Sequence, residues 1–134
     1  MKLITSFFAL LLITGCVTTA EELSATSDHK ATISTNQNYQ SVYRNVLTEA
    51  KNCYAGMQNL AVSNVVEGQL YSDLKFGEIS YFQENLSRIY YAVVKVEKVG
   101  SGSKASISVG SQMSWAAEKT LRNFENWVRG EKGC

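Results

Sequence analysis

Between Asn38 and Tyr54 the apolar residues Tyr39, Val42, Tyr43, Val46, Leu47, Ala50, Cys53 and Tyr54 recur at spacings of three and four. That interval matches the helical repeat and draws one apolar stripe, with Gln40, Arg44, Asn45, Glu49, Lys51 and Asn52 elsewhere on the helix. Lys51 in the last turn suits the negative end of the helix dipole, and Gly56 can end the helix. Past Val65 the pattern changes to runs rich in β-branched and aromatic residues, which predict strands near 64–71, 76–83, 88–98 and 104–109. The third is the longest. Alternation there sends Tyr90, Ala92, Val94 and Val96 to the core, and Ile89, Tyr91, Val93, Lys95 and Glu97 outward. Gly100-Ser101-Gly102-Ser103 forms a turn. After it Ala105, Ile107 and Val109 alternate with Lys104, Ser106 and Ser108, as in a hairpin with one wet face. A second helix follows, capped by Ser111 or Ser114, with Glu118 near its positive end. Its stripe is Ala117, Leu121, Phe124 and Val128, with Trp115 and Trp127 as core anchors, and Gly130 is its stop signal.

The predicted order is helix, four strands, helix. Two helices covering one face of an antiparallel four-stranded sheet is the economical α+β solution. The expected domain covers residues 38–134. Residues 16–37 hold Cys16 and a polar stretch rich in Thr, Ser and Ala without an aromatic, which is expected to be a flexible tether. As a random coil it would span about 25 Å, from 5–6 Å times the square root of its length. The alternative for Ala31 to Thr35 is a short edge strand.

Charge narrows the partners. The 134 residues include 13 Lys and Arg against 12 Asp and Glu, and Lys2 is the only charge among the first twenty. The remainder is close to neutral and has no general attraction for nucleic acid or anionic lipid. There is no proline, and so no Pro-rich recognition segment.

Residues 1–16, MKLITSFFALLLITGC, place a positive charge, a mostly apolar run from Leu3 to Thr14, two small residues and a cysteine in that order. The run is too short to span about 30 Å of hydrocarbon but fits a signal peptide. Ile13-Thr14-Gly15-Cys16 resembles the lipobox of bacterial lipoproteins, with residues 1–15 as the removable signal. The resemblance implies acylation of Cys16, attachment to a membrane through that lipid, and a domain outside the cytoplasm. By the enterobacterial sorting rule Val17 implies the periplasmic face of the outer membrane. The alternative is an ordinary secretory signal with an incidental cysteine. The general layout is similar to small Gram-negative lipoproteins with a disulfide-closed α+β domain, a likeness that implies a location but no particular chemistry.

If Cys16 is acylated, Cys53 and Cys134 remain, in a compartment where disulfides persist. A Cys53–Cys134 bridge is expected; two free thiols are the alternative. No metal or other cofactor is expected, since two cysteines and the lone distant His29 do not supply four zinc ligands. Nor is there a catalytic constellation. His29 lies in the expected tether, and Gly100 to Ser103 is flanked by strands rather than by the helix a phosphate loop needs. Pairs such as Glu78 with Glu84, or Glu67 with Glu97, resemble cross-strand surface charges more than a glycosidase pair. The expected function is a non-enzymatic binding module for another envelope protein, through an outward patch of Ile89, Tyr91 and Val93. The alternatives are a small-ligand carrier, which needs a pocket between helices and sheet, and an inhibitor of a wall-degrading enzyme, which needs a protruding loop such as 55–64.

Overall fold

The computed structural model describes residues 17–111 and 114–134. The lipobox lies outside the described residues. The elements are α1 (Ala20–Thr26), β1 (His29–Thr35), α2 (Tyr39–Tyr54), β2 (Gly56–Asn59), β3 (Val62–Tyr71), β4 (Phe76–Glu84), β5 (Arg88–Val99), β6 (Gly102–Val109) and α3 (Ser114–Val128). The architecture is α+β, but the sheet has six antiparallel strands in the order β1-β6-β5-β4-β3-β2, and there are three helices. This corrects the four-strand, two-helix expectation.

Both extra strands lie at the edges, where the burial signal is weakest. In β1 only Ala31 and Ile33 pack toward the core, and they alternate with exposed Lys30, Thr32 and Ser34. In β2 all four residues are exposed, so Gly-Met-Gln-Asn carries no alternation to read. β2 and its turn occupy part of the stretch 55–64 that was expected to be a loop. The tether is corrected as well, because residues 20–35 fold into α1 and β1. Thr19 caps α1, its hydroxyl accepting from the Glu22 amide at 3.1 Å, while the Glu22 carboxylate accepts from the Thr18 amide at 3.2 Å. That arrangement is close to a capping box.

α2 and α3 cover one face of the sheet, here the inner face. Val42, Val46 and Ala50 of α2 meet Val66, Ile79, Val94 and Val96 of the strands, and Ala117, Phe124, Trp127 and Val128 of α3 meet Ile107 and Val109. Full burial of each large apolar side chain is worth about 1.5–3 kcal/mol. The inner face of β3 and β4 is bared by Gly68 and Gly77, where a Cβ would collide with the Tyr43 side chain. The two glycines let the Tyr43 ring lie flat across two strands.

A β-bulge reverses the alternation in β5. Tyr81 pairs with Ala92, but the next residue, Phe82, pairs with Tyr90. The extra residue is Tyr91, which turns inward onto the Tyr81 ring at 5.2 Å. Tyr90 then faces outward beside Phe82, with the rings 5.2 Å apart. The expected core set therefore holds for Ala92, Val94 and Val96 and fails for Tyr90.

The two cysteines are bonded, with Cα atoms 5.6 Å apart. The C-terminal tail turns at Gly130 and runs back along α2. Asn45 donates to the Trp127 carbonyl at 2.6 Å, the indole of Trp127 donates to the Gly133 carbonyl at 2.8 Å, and the Gly133 amide donates to Glu49 at 2.9 Å. The buried Glu49 is thus a clamp for the tail that delivers Cys134 to Cys53.

Candidate membrane-anchoring site

The outer face of the sheet is covered by α1 alone. Leu23 is 1% exposed and lies over a small second core with Phe82 and Val93, at 0% and 7% exposure. The chain entering α1 is fixed at its first described residue. The Tyr90 amide donates to the Val17 carbonyl at 3.3 Å, beside β5 where β6 has already ended. At the other end of α1 the Ser27 hydroxyl bridges the carbonyls of His29 and Val109. Among the described residues, then, no free tether precedes α1; successive Cα atoms across a trans peptide are about 3.8 Å apart.

Ile89, Tyr91 and Val93 do not form a common outward patch. Tyr91 is on the inner face, half-buried, with its hydroxyl donating to Gln83 at 3.2 Å. Val93 is on the outer face but lies beneath α1, and Ile89 is half-buried at the start of β5. The bulge at Tyr91 and the cover from α1 are the two reasons the expected patch is absent. The aromatic pair that the outer face does present is Tyr71 and Phe76, half-buried and stacked at 4.7 Å, with the Lys95 ammonium 4.7 Å from the Phe76 ring centre.

Three carboxylates of the sheet, Glu67, Glu84 and Glu97, are engaged with cations. Glu84 and Glu67 flank Arg88 at 3.1 and 3.8 Å, and Glu97 lies between Lys95 and Lys104 at 3.0 and 3.5 Å. The hydrogen bond from Lys95 and the two ammonium charges hold the Glu97 carboxyl below the usual range against a smaller opposing effect of burial. Tyr81 moves the other way, to about 12. Burial is the main cause, and the neighbouring Tyr91 and Tyr54 add to it. Tyr81 stacks on Tyr54 at 4.7 Å, and Tyr54 in turn packs on Trp127 at 5.6 Å. The space between helices and sheet that a carried ligand would need is filled by these rings. A shallow depression of about 710 Å³ lies instead at the rim, lined by Ile33, Asn36, Val99, Ser103 and Arg129 among others.

Trp127 is 1% exposed, as expected of a core anchor, but Trp115 is 87% exposed. The second half of that expectation is corrected. Trp115 is two positions before Ala117, which is buried, and so falls off the stripe of α3. Other large apolar side chains in water are Leu60 and Leu86, both fully exposed, together with Met57, Leu74 and Val99. Leu86 sits between Asn85 and Ser87 in a hairpin turn, a setting where sequence offers no core role. That was a legible signal for an outward apolar residue.

Among the described residues, no three or more His, Cys, Asp and Glu side chains cluster as metal ligands, and no helix is long and apolar enough to cross a membrane. Compared with known proteins, the chain matches no family model and no curated sequence.

Proposed function

We propose that this chain is an envelope lipoprotein, acylated at Cys16 and held at the periplasmic face of the outer membrane, whose domain binds another envelope protein and performs no catalysis. The observation that carries the reading is the run MKLITSFFALLLITGC set directly before a folded domain closed by a disulfide. A signal of that length exports the chain, and a persistent disulfide suits the compartment it would reach. Three acyl chains on the processed cysteine, each CH₂ adding about 0.8 kcal/mol on burial, hold a protein on a bilayer without help from a basic patch. The near-neutral charge of the domain agrees with that.

The binding role is supported by the half-buried Tyr71–Phe76 pair on the outer face, and by the engagement of sheet carboxylates in ion pairs rather than in a cleft. Two experiments test the reading. Mass spectrometry of the mature protein should find a fatty-acylated Cys16 at the amino terminus, and Cys16→Ser should lose acyl labelling; an unacylated terminus overturns the anchor. A photo-crosslinking amino acid at Tyr71 in living cells should give a discrete protein adduct, and its absence overturns the binding role.

A further inference from the structure

The two ends of the sheet differ in what they expose. The β2–β3 turn, the β4–β5 turn and the end of β6 lie toward one end, as the register requires: Ser63 pairs with Glu84, Glu84 with Arg88, and Ala92 with Val109, and α3 begins five positions after β6 ends there. This end projects Leu60 and Leu86, each fully exposed, and Trp115, 87% exposed, from three separate elements. It is also the end at which the chain enters the domain, because Val17 is bonded to Tyr90 near the start of β5. Tyr90 follows Leu86 by four positions, about 13 Å along an extended strand at 3.3 Å per residue. The acyl-bearing residue is one peptide further away.

We infer that the end of the domain carrying Leu60, Leu86 and Trp115 is seated on the phospholipid bilayer into which the Cys16 acyl chains insert. This rests on acylation of Cys16 and adds an orientation to it. An acyl group enters the bilayer at the headgroup boundary, and a domain with no tether is held against that boundary. Whichever side chains surround the attachment point then meet lipid. Two leucines at turn tips and a tryptophan are the residue types that gain there: leucine by leaving water, tryptophan by placing an apolar ring and its N–H at the headgroup level. The opposite end, with the Tyr71–Phe76 pair at the far limit of β3 and β4, then points away from the membrane toward the periplasmic partner. Leu74 and Val99, 63% and 56% exposed, lie in that distal region.

The native acylated protein, reconstituted into vesicles of phosphatidylethanolamine and phosphatidylglycerol with brominated acyl chains, provides the test. Comparison with Trp115→Phe isolates the Trp115 emission from that of the buried Trp127. Bromolipid should quench Trp115, and quenching by aqueous iodide should fall severalfold relative to Cys16→Ser protein free in solution. Leu60→Ser combined with Leu86→Ser changes only exposed positions. It should restore iodide access at Trp115 while the protein still floats with the vesicles. In the Trp115→Phe background a reporter at the other end, Leu74→Trp, should stay open to iodide.

A protein that floats with vesicles while Trp115 remains open to iodide and untouched by bromolipid overturns the seating and leaves the anchor intact. Shielding from iodide without bromolipid quenching means that protein, such as a second copy of the chain, covers this end, and also overturns it. Bromolipid quenching at Leu74→Trp overturns the orientation. A protein that neither floats nor carries a fatty acid overturns the anchor and the seating together.

Discussion

The two faces of the sheet are built to different standards. The inner face is covered by α2 and α3, 16 and 15 residues long, and sealed by Trp127, Phe124 and a disulfide. The outer face is covered by the seven residues of α1, with Leu23 as its buried contact on Phe82 and Val93. The inner face holds the fold together. The outer cover contributes little area to the core, yet it fixes where the chain enters the domain, and so where a lipid on Cys16 would be. A small element can decide orientation without deciding stability.

The difference is measurable, and the largest effects should come from the inner face. Trp127→Ala removes a fully buried ring and the indole donor to Gly133 and should cost about 3–5 kcal/mol in chemical denaturation. A cost under about 1 kcal/mol would mean that the inner core is not the stabilising half. Replacing both Cys53 and Cys134 by Ala opens a bond spanning 81 positions and should cost about 2–4 kcal/mol, mostly by freeing the unfolded chain. Equal unfolding midpoints with and without the bridge would contradict this.

Tyr81 comes next, and its sign is set by its raised pKa. Below pH 10 the phenol is protonated in both states and the stability is unaffected. As pH rises from 10.0 toward about 12 the unfolded chain ionises while the folded one does not, so stability falls. Two units correspond to roughly 2–3 kcal/mol, lost progressively through that window. Tyr81→Phe should flatten the decline, and an unchanged slope would refute the assignment. The smallest effect belongs to the outer face. Leu23→Ala should cost about 1–2 kcal/mol, below the usual 2–5 for a trapped leucine, because α1 can lift away rather than leave a cavity. Hydrogen exchange should quicken at the amides of Leu23 and Ser27 and stay slow at the central residues of β4 and β5. A global loss of protection would place α1 within the main core after all.

Long elements with a buried stripe were legible. The predicted helix over 38–54 is α2, because its 3.6-residue pattern is sustained over four turns. The strong alternation after Lys104 is β6. Edge elements were less so: β1 was open only as the edge-strand alternative for Ala31 to Thr35, and β2 was not expected. β1 half-buries alternate side chains and β2 buries none, so the period that identifies a strand is faint, and their places at the two opposite edges of the sheet follow from backbone pairing alone. The Cys53–Cys134 pairing was legible by counting thiols, while the route of the tail through Glu49 was not, since a buried carboxylate clamping a backbone amide leaves no spacing to read. The failed site expectation has two origins, the cover of α1 over Val93 and a bulge in β5. One bulged residue, Tyr91, breaks the alternation, and every face assignment on the N-terminal side of it in β5 reverses.

By itself the sequence determined the local preferences: which runs are helical, which are extended, and which two thiols are free to join if Cys16 is acylated. These follow from periodicity and counting, which are properties of neighbours along the chain. Tertiary structure alone decided which face each strand residue meets, what covers the outer sheet, and that Leu60, Leu86 and Trp115 share an end with Val17. Those relations join residues far apart in sequence through hydrogen-bond register, and a register exists only once the strands have paired.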